Sequence, residues 1–205
     1  MTGKKIRLRV VEESDLNFCQ SLFNDDHLRD LVVGWDFPVS MYAQKRWFES
    51  LSSGKNNIRL IIETHEGIAI GLTGLWDIDW HNRNALTAVK LKGDLVKGKG
   101  YGRDAIMTMN AFSFFDVGLH RLWGSIIDYN IPSFKVYVDK SGWKTEGVLR
   151  DHVFRNGVFH NLYYVGCLKD DFLNVPDSGD YVPQPIPAGM KKFSADIFKN
   201  EISKG

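Results

Sequence analysis

The sequence has almost no net charge and no long apolar run. Each of these two absences excludes a class of protein. A net charge of +1 over 205 residues leaves no sign of the basic face that nucleic-acid-binding proteins present. No apolar run approaches the roughly 20 residues needed to span a bilayer. The first five residues, Met1 to Lys5, are not followed by the apolar segment of a secretory signal. We therefore expect a cytoplasmic protein that binds neither nucleic acid nor membrane.

Cysteine is also scarce, because the chain holds only two, Cys19 and Cys167, separated by most of its length. This separation differs from the close spacing of zinc-binding cysteines, so we expect two buried free thiols and no metal site. The length suits one α/β domain built around a single core.

Proline is concentrated at the end of the chain, where four of the six prolines lie beyond residue 172. Prolines at this density interrupt regular elements. We therefore predict a domain over residues 1–172 and an extended arm over residues 173–205. The apolar spacing near the end predicts a short helix within the arm, over residues 188–202.

The apolar periodicity of the remaining chain predicts a mixture of strands and helices. Strands are predicted over residues 5–11, 58–64, 69–76, 85–91 and 122–127. Helices are predicted over residues 15–24, 41–52, 103–115 and 134–140. The pair Asn156-Gly157 has the composition of a two-residue hairpin turn and predicts a closing hairpin.

Three glycines at alternate positions, Gly98, Gly100 and Gly102, lie between a predicted strand and a predicted helix. Glycine lets the backbone turn sharply and lets an anion approach the main chain. The first N–H groups of the helix lack intrahelical acceptors, and the helix dipole favours negative charge there. The segment predicts a phosphate-binding loop, although an ordinary turn has similar composition. Its spacing excludes both the P-loop and the dinucleotide-binding fingerprint.

A second group of residues lies about thirty positions further along the chain, after the predicted strand over residues 122–127. Asn130 falls in a turn with helix-start composition, and Tyr137 falls on the short helix that follows, seven residues or about two turns later. Gly142 is suited to the C-terminal cap of that helix.

Together the two motifs resemble those of the GNAT superfamily of N-acetyltransferases. The segment from Lys97 to Gly102 is similar to the family's Gln/Arg-x-x-Gly-x-Gly/Ala loop, with lysine in the first position. Asn130, Tyr137 and the pair Gly142-Trp143 are similar to the later family motif, at the family's separation. The resemblance covers residues 6–172. It is strongest to the branch containing ribosomal-protein N-terminal, spermidine and nucleotide-amino-sugar acetyltransferases.

The resemblance implies an α+β fold with a central, mixed, mostly antiparallel, splayed sheet of about seven strands flanked by helices. It implies acetyl-CoA as the co-substrate and no metal. The pantetheine arm would be held by the backbone of Lys90, Leu91 and Lys92, and Asn130 would bond the arm or place its helix. The pyrophosphate would be held by the loop and helix start: Lys97, Gly98, Lys99, Gly100, Tyr101, Gly102 and Arg103.

By the same resemblance Tyr137 is the general acid. A phenol with a reference pKa near 10 can donate a proton to a departing thiolate. The alternative is a core tyrosine on an amphipathic helix. No general base is assigned, because the segment Leu86 to Leu91 holds no carboxylate. Asp77, Asp79, His81 and an ordered water stay open.

The predicted acceptor side contains Trp35, Trp76, Asp77 and His81, because aromatic rings give flat apolar walls with polar edges. The acceptor is a primary amine of an amino sugar, a polyamine or a protein N-terminus, and these alternatives stay open. A homodimer also stays open. The rival interpretation is a non-catalytic acyl-CoA-binding module on the same fold.

Overall fold

The computed structural model describes residues 1–34 and 37–184, with positions 94 and 95 described by their backbone alone. Seven strands are present: β1 Ile6–Val10, β2 Ile58–Thr64, β3 Ala69–Asp79, β4 Asn84–Leu91, β5 Arg121–Ile127, β6 Lys144–Arg155 and β7 Val158–Leu168. The α-helices are α1 Leu16–Phe23, α2 Asp26–Leu31, α3 Met41–Leu51, α4 Gly93–Val96, α5 Tyr101–Ala111, α6 Ile131–Tyr137 and α7 Lys169–Leu173. Short 3₁₀ turns cover Glu13–Asp15 and Ser178–Asp180, and a π-helical turn over Phe112–Asp116 extends α5.

The strands form one mixed sheet in the order β1-β2-β3-β4-β5-β7-β6. Among the described strands, only β4 and β5 run parallel, and the other neighbours are antiparallel. The parallel pairing is short, since only Asn84–Leu86 of β4 pairs with Arg121–Trp123 of β5. Beyond that point the two strands separate, so the sheet is splayed. The predicted fold class is confirmed.

Helix α5 covers one face of the sheet, and every residue from Asp104 to Ala111 is buried. Helices α1 and α3 cover the other face, where Cys19 and Leu22 pack with Ile61 and Leu72. This two-sided covering explains the apolar character of the central strands. The gap between β4 and β5 therefore opens between two packed layers.

Both cysteines, Cys19 and Cys167, are free and fully buried, as predicted. Burial raises the pKa of each thiol to about 12. Within residues 1–34 and 37–184, no group of three or more side chains of the metal-ligating types comes together. No helix in the same part of the chain is long and apolar enough to cross a bilayer.

Most predicted elements have bounds close to those in the structure, but one helix begins earlier and the short helices α2, α4 and α7 were not predicted. The predicted helix over residues 134–140 begins earlier, at Ile131, because the Asn130 side chain caps it and Pro132 occupies its first turn. The short helix α2 was not predicted, and Asp25 caps it by accepting the Leu28 N–H. The closing hairpin is confirmed.

The first part of the predicted arm packs against the domain. Tyr181 donates its hydroxyl proton to Asp104 at 2.8 Å, and Asp177 pairs with Arg103 at 2.6 Å. The predicted helix over residues 188–202 lies outside the described residues, as does Trp35. The domain boundary near residue 172 stays a prediction.

Candidate active site

The splayed part of β4 exposes backbone groups on the side that faces β5. The N–H of Lys92 donates to the Ile70 carbonyl at 2.9 Å, so the alternation of an antiparallel ladder also directs the Lys90 backbone towards β3. The backbone groups of Val89 and Leu91 consequently point into the gap. Of the three residues predicted to hold the pantetheine arm, Leu91 has the backbone orientation that this role requires.

The glycine loop has the geometry of an anion cradle. Gly98 and Gly100 adopt left-handed backbone angles of φ +78° and +84°, and a Cβ at Gly98 would meet no atom within 4 Å. The first hydrogen bond of α5 runs from the Asp104 N–H to the Gly100 carbonyl at 3.1 Å. The N–H groups of Tyr101, Gly102 and Arg103 precede it and are therefore the donors that a bound phosphate needs.

The cations near the loop are the two predicted lysines and one that was not predicted. Lys97 and Lys99 are exposed there, and Lys5 joins them by donating from Nζ to the Lys99 carbonyl at 2.8 Å. Arg103 is directed away from the loop: its guanidinium binds Asp177 at 2.6 and 2.8 Å and the Lys140 carbonyl at 2.9 Å. Of Arg103, the backbone N–H therefore remains directed at the loop while its guanidinium is not, and Lys5 is an additional cation that the sequence analysis did not include.

Tyr137 lies at the end of α6 with its hydroxyl at the gap. The hydroxyl oxygen accepts the Val89 N–H at 2.9 Å, which leaves the hydroxyl proton available for donation. The ring packs edge-on against buried Trp143, with 5.0 Å between the ring centroids. Burial raises the pKa of Tyr137 above its ordinary value, so the phenol keeps its proton at neutral pH.

Asn130 organises the loop before α6 through both polar atoms of its buried side chain. Its Oδ1 accepts the Ser133 N–H at 3.2 Å, and its Nδ2 donates to the Leu31 carbonyl at 3.0 Å. The neighbouring Tyr129 hydroxyl donates to the Asp30 carbonyl. These bonds hold the end of α2 beside α6.

A cavity of about 430 Å³ opens at the gap. Its lining includes Val89, Lys90, Tyr137, Trp123 and His152, with the segment after α2 on one side. A second cavity of about 360 Å³ lies beside it under α3, and the two share Gly34 and Trp76. They form one region divided by the Trp76 ring.

Two cations contact that ring. The Cζ atom of Arg59 lies 4.0 Å from the Trp76 ring centroid, and the Nζ atom of Lys90 lies 4.5 Å from it. Lys90 is 7% exposed. Burial, reinforced by Arg59, lowers the pKa of Lys90 to about 7.

Trp35 lies outside the described residues, and of the three described residues predicted on the acceptor side the structure brings Trp76 alone to the cavities. Asp77 and His81 are exposed near the end of the β3–β4 hairpin and do not line either cavity. The residues missed are Lys5, Arg59, Trp123 and His152, which lie at the chain start or within strands. Each lies at the site because of contacts between distant parts of the chain, which no local sequence pattern predicts.

Gly98→Ala is expected to weaken acetyl-CoA binding about 10-fold, equivalent to about 1.4 kcal/mol. The substitution places a methyl group in the loop and imposes a left-handed strain of about 1–2 kcal/mol. Isothermal calorimetry measures the affinity. Gly67→Ala is the matched control, because Gly67 has φ +81° and open space around its Cβ position, yet lies in the β2–β3 turn. Equal affinities for the two variants would contradict the predicted role of the loop.

The comparisons with known proteins agree with one another, since each finds an acetyltransferase. Residues 5–142 match the family described as "Acetyltransferase (GNAT) domain". A spermidine N(1)-acetyltransferase of Vibrio cholerae is 24% identical over 174 residues, covering 84% of this chain and 98% of that protein. An uncharacterized N-acetyltransferase, YokL, derived from prophage SPbeta of Bacillus subtilis, is 24% identical over 172 residues, covering 83% of this chain and 94% of that protein.

The solved structures agree on the fold. The crystal structure of a Vibrio cholerae spermidine N-acetyltransferase in complex with CoA and spermine superposes with a TM-score of 0.76 at 24% identity. The match covers 82% of this chain and 98% of that chain.

Proposed function

The chain belongs to the acetyltransferase (GNAT) domain family and is an acetyl-CoA-dependent N-acetyltransferase, and we propose that it acetylates the primary amine of a small molecule at the β4–β5 gap. The predicted family, enzyme class and co-substrate are confirmed. The relatives named for spermidine support a small-molecule amine. The observation that carries the site is the Tyr137 hydroxyl bonded to the Val89 N–H inside the gap.

Acetyl-CoA supplies a reactive acetyl thioester, and the residues at the gap fit its two polar parts. The Val89 carbonyl and both backbone groups of Leu91 point away from β3 and are suited to the amides of the pantetheine arm, whereas the Val89 N–H is bonded to the Tyr137 hydroxyl. The loop from Gly98 to Gly102 and the first N–H groups of α5 are suited to the pyrophosphate. Lys5 and Lys99 add positive charge at the same loop.

Tyr137 is assigned the proton that the leaving sulfur needs. Its hydroxyl keeps its proton at neutral pH, because burial disfavours the phenolate. The Val89 N–H fixes the oxygen at the gap, and the Trp143 ring fixes the direction of the tyrosine ring. As the amine nitrogen bonds to the acetyl carbon and the carbon–sulfur bond breaks, the Tyr137 hydroxyl would donate its proton to the leaving sulfur.

The acceptor amine must lose a proton before or during transfer. None of the described residues lining the two cavities is an aspartate or a glutamate, so a carboxylate base is not proposed. Lys90 and His152 are the basic side chains of the larger cavity. His152 lines the cavity and is also exposed, so its imidazole is placed to pass a proton from the cavity to bulk water.

The test is thiol release from acetyl-CoA in the presence of a panel of amines, read with a free-thiol reagent. The panel contains spermidine, amino-sugar nucleotides, aminoglycosides and short peptides with free N-termini. Release that depends on one small-molecule class supports the proposal. Release with peptides alone would contradict the small-molecule acceptor. Calorimetric acetyl-CoA binding without release from any amine would favour the non-catalytic acyl-CoA-binding module.

The cytoplasmic location and the homodimer stay predictions. In support of a homodimer, three apolar side chains at the end of the β6–β7 hairpin, Phe154, Val158 and Phe159, are each more than half exposed. Light scattering coupled to size-exclusion chromatography measures the mass in solution and distinguishes monomer from dimer.

A further inference from the structure

The end of helix α2 is held by three side chains from the second half of the chain. They bond the carbonyls of residues 30–32. The Tyr129 hydroxyl donates to the first carbonyl, the Asn130 Nδ2 atom to the second at 3.0 Å, and the Arg155 Nη2 atom to the third at 3.2 Å. Each donor lies 99 or more positions further along the chain. Three consecutive backbone carbonyls therefore depend on tertiary contacts for these hydrogen bonds.

Helix α2 needs such contacts because it is short. The last carbonyls of an α-helix lack intrahelical donors, and a helix of six residues is not stable through its own hydrogen bonds. Of the six residues of α2, all of which the structure describes, Leu28 alone is buried. The three side-chain donors therefore fix the position of the helix end relative to the sheet.

The donors themselves are held in place by the sheet. The Tyr129 ring packs on a small apolar cluster formed by β5, β6 and β7, and it meets the His160 ring edge-on with 4.6 Å between the centroids. The Oδ1 atom of buried Asn130 caps α6. The Arg155 Nη1 atom donates to the Phe154 carbonyl at 2.9 Å. The end of α2 is thus fastened to fixed points on the other half of the domain.

The fastened segment forms one side of the larger cavity, which residues 31–34 line together with Tyr137. We call residues 31–34 the acceptor wall. Residues 97–102, which form the predicted pyrophosphate loop, are not among the described residues that line either cavity. The acceptor wall therefore bounds the space beside the Tyr137 hydroxyl and does not share a cavity with the pyrophosphate loop.

We propose that Tyr129 and Arg155 are positioning residues for the acceptor amine, because their bonds to the carbonyls of residues 30 and 32 hold the acceptor wall in the position that shapes the amine subsite. This inference rests on the proposed function, since it concerns the amine that the same gap acetylates. Neither side chain is among the described residues that line the two cavities, so both act through the wall. An amine that needs the wall in place binds more weakly in proportion to the fraction of molecules in which the wall is displaced.

Tyr129→Phe removes one donor and retains the ring contact with His160, whereas Arg155→Met removes the guanidinium and retains much of the apolar stem. Each variant is expected to raise the KM for the amine about 5-fold, the size of one hydrogen bond, and the double variant at least about 10-fold. Because saturating amine restores the wall, kcat should change less than about 2-fold. The affinity for acetyl-CoA, measured by calorimetry, should also stay within about 2-fold.

The readout is thiol release at saturating acetyl-CoA. The amines are spermidine, a UDP-linked amino sugar and kanamycin, one from each small-molecule class of the panel. Arg155→Lys should have a lower KM than Arg155→Met, because an ammonium can donate to the same carbonyl.

Tyr42→Phe and Arg150→Met are the matched controls. Tyr42 is 73% exposed on α3, and Arg150 is an exposed arginine on β6, the strand that also carries Arg155. Neither is among the described residues that line the two cavities. Both controls should leave the KM for the amine unchanged.

Two results would overturn the inference. One is a KM in the double variant within about 2-fold of wild type for every amine that wild type acetylates. The other is a fall in kcat with an unchanged KM, because that pattern would mean that Tyr129 and Arg155 act on Tyr137 and α6 instead of on the acceptor wall.

Two further measurements separate this inference from the proposed function. Amides of residues 28–32 should exchange hydrogen at least about 5-fold faster in the double variant, and unchanged exchange overturns the inference even when wild type releases thiol normally. If wild type releases no thiol with the three amines, the proposed function fails. Calorimetric binding of the same amines to the CoA-saturated protein then decides: affinity that weakens in the double variant supports the positioning role, and unchanged affinity or no binding overturns it.

Discussion

Tyr137→Phe is expected to lower kcat about 100- to 1,000-fold, the usual contribution of a general acid, while the affinity for acetyl-CoA changes little. The substitution removes only the hydroxyl that accepts the Val89 N–H at 2.9 Å. The ring and its edge-on contact with Trp143 are retained. Steady-state thiol release at saturating concentrations of both substrates measures kcat, and calorimetry measures acetyl-CoA affinity.

The pH profile adds an independent check on the same residue. Burial raises the pKa of Tyr137 above its ordinary value of about 10, so the proton is retained over the whole neutral range. Loss of this proton should therefore not reduce wild-type turnover between about pH 7 and pH 10. An alkaline decline that is present in wild type and absent in Tyr137→Phe within that range would contradict the raised pKa.

Tyr181→Phe is the matched control for the loss of a tyrosine hydroxyl. The Tyr181 hydroxyl is bonded to Asp104 on the face of the sheet covered by α5, outside both cavities. Turnover should be retained in this variant, and its stability should fall modestly. If kcat is the same in Tyr137→Phe as in wild type, Tyr137 is not the acid.

Asp104→Ala is expected to lower the free energy of unfolding by about 3–5 kcal/mol, the largest stability effect we predict. Its buried carboxylate accepts three consecutive backbone N–H groups, from Lys4 at 3.0 Å, Lys5 at 2.7 Å and Ile6 at 3.0 Å. It also accepts the Tyr181 hydroxyl at 2.8 Å. Without the carboxylate, these donors are left without their acceptor in a largely dry layer.

Urea denaturation followed by circular dichroism measures the change. The control is Asp180→Ala, because Asp180 is 60% exposed and pairs with Lys4 at the surface. A surface ion pair contributes about 0–1 kcal/mol. A loss of less than about 1 kcal/mol in Asp104→Ala would contradict the assigned anchoring role.

The same carboxylate links stability to co-substrate binding. Asp104 holds the chain start that carries Lys5, and the Lys5 Nζ atom contacts the glycine loop through the Lys99 carbonyl. Loosening the chain start should therefore also weaken acetyl-CoA binding. Calorimetry below the unfolding transition separates this effect from loss of fold.

Much of the fold was predictable because its signals are local. Alternation and apolar runs identify the five strands predicted by range, and the pair Asn156-Gly157 adopts the two positive φ angles, 51° and 83°, that its hairpin turn requires. The glycine loop and Tyr137 match family motifs at the family's separation, so the resemblance predicts that they belong to one site. Helices α2, α4 and α7 were missed because each is much shorter than the roughly 11 residues over which apolar periodicity identifies a helix.

The sequence by itself thus determined the family and the splayed sheet, and it singled out the glycine loop and Tyr137 as the predicted site. Only the tertiary structure decided which charges surround them. It directs Arg103 to Asp177, brings Lys5 to the loop, and places Arg59 and Lys90 on opposite flanking strands of Trp76. The physical reason is range: backbone preferences and periodicity act over a few residues, whereas the charge around a site depends on contacts between residues that are far apart in the chain.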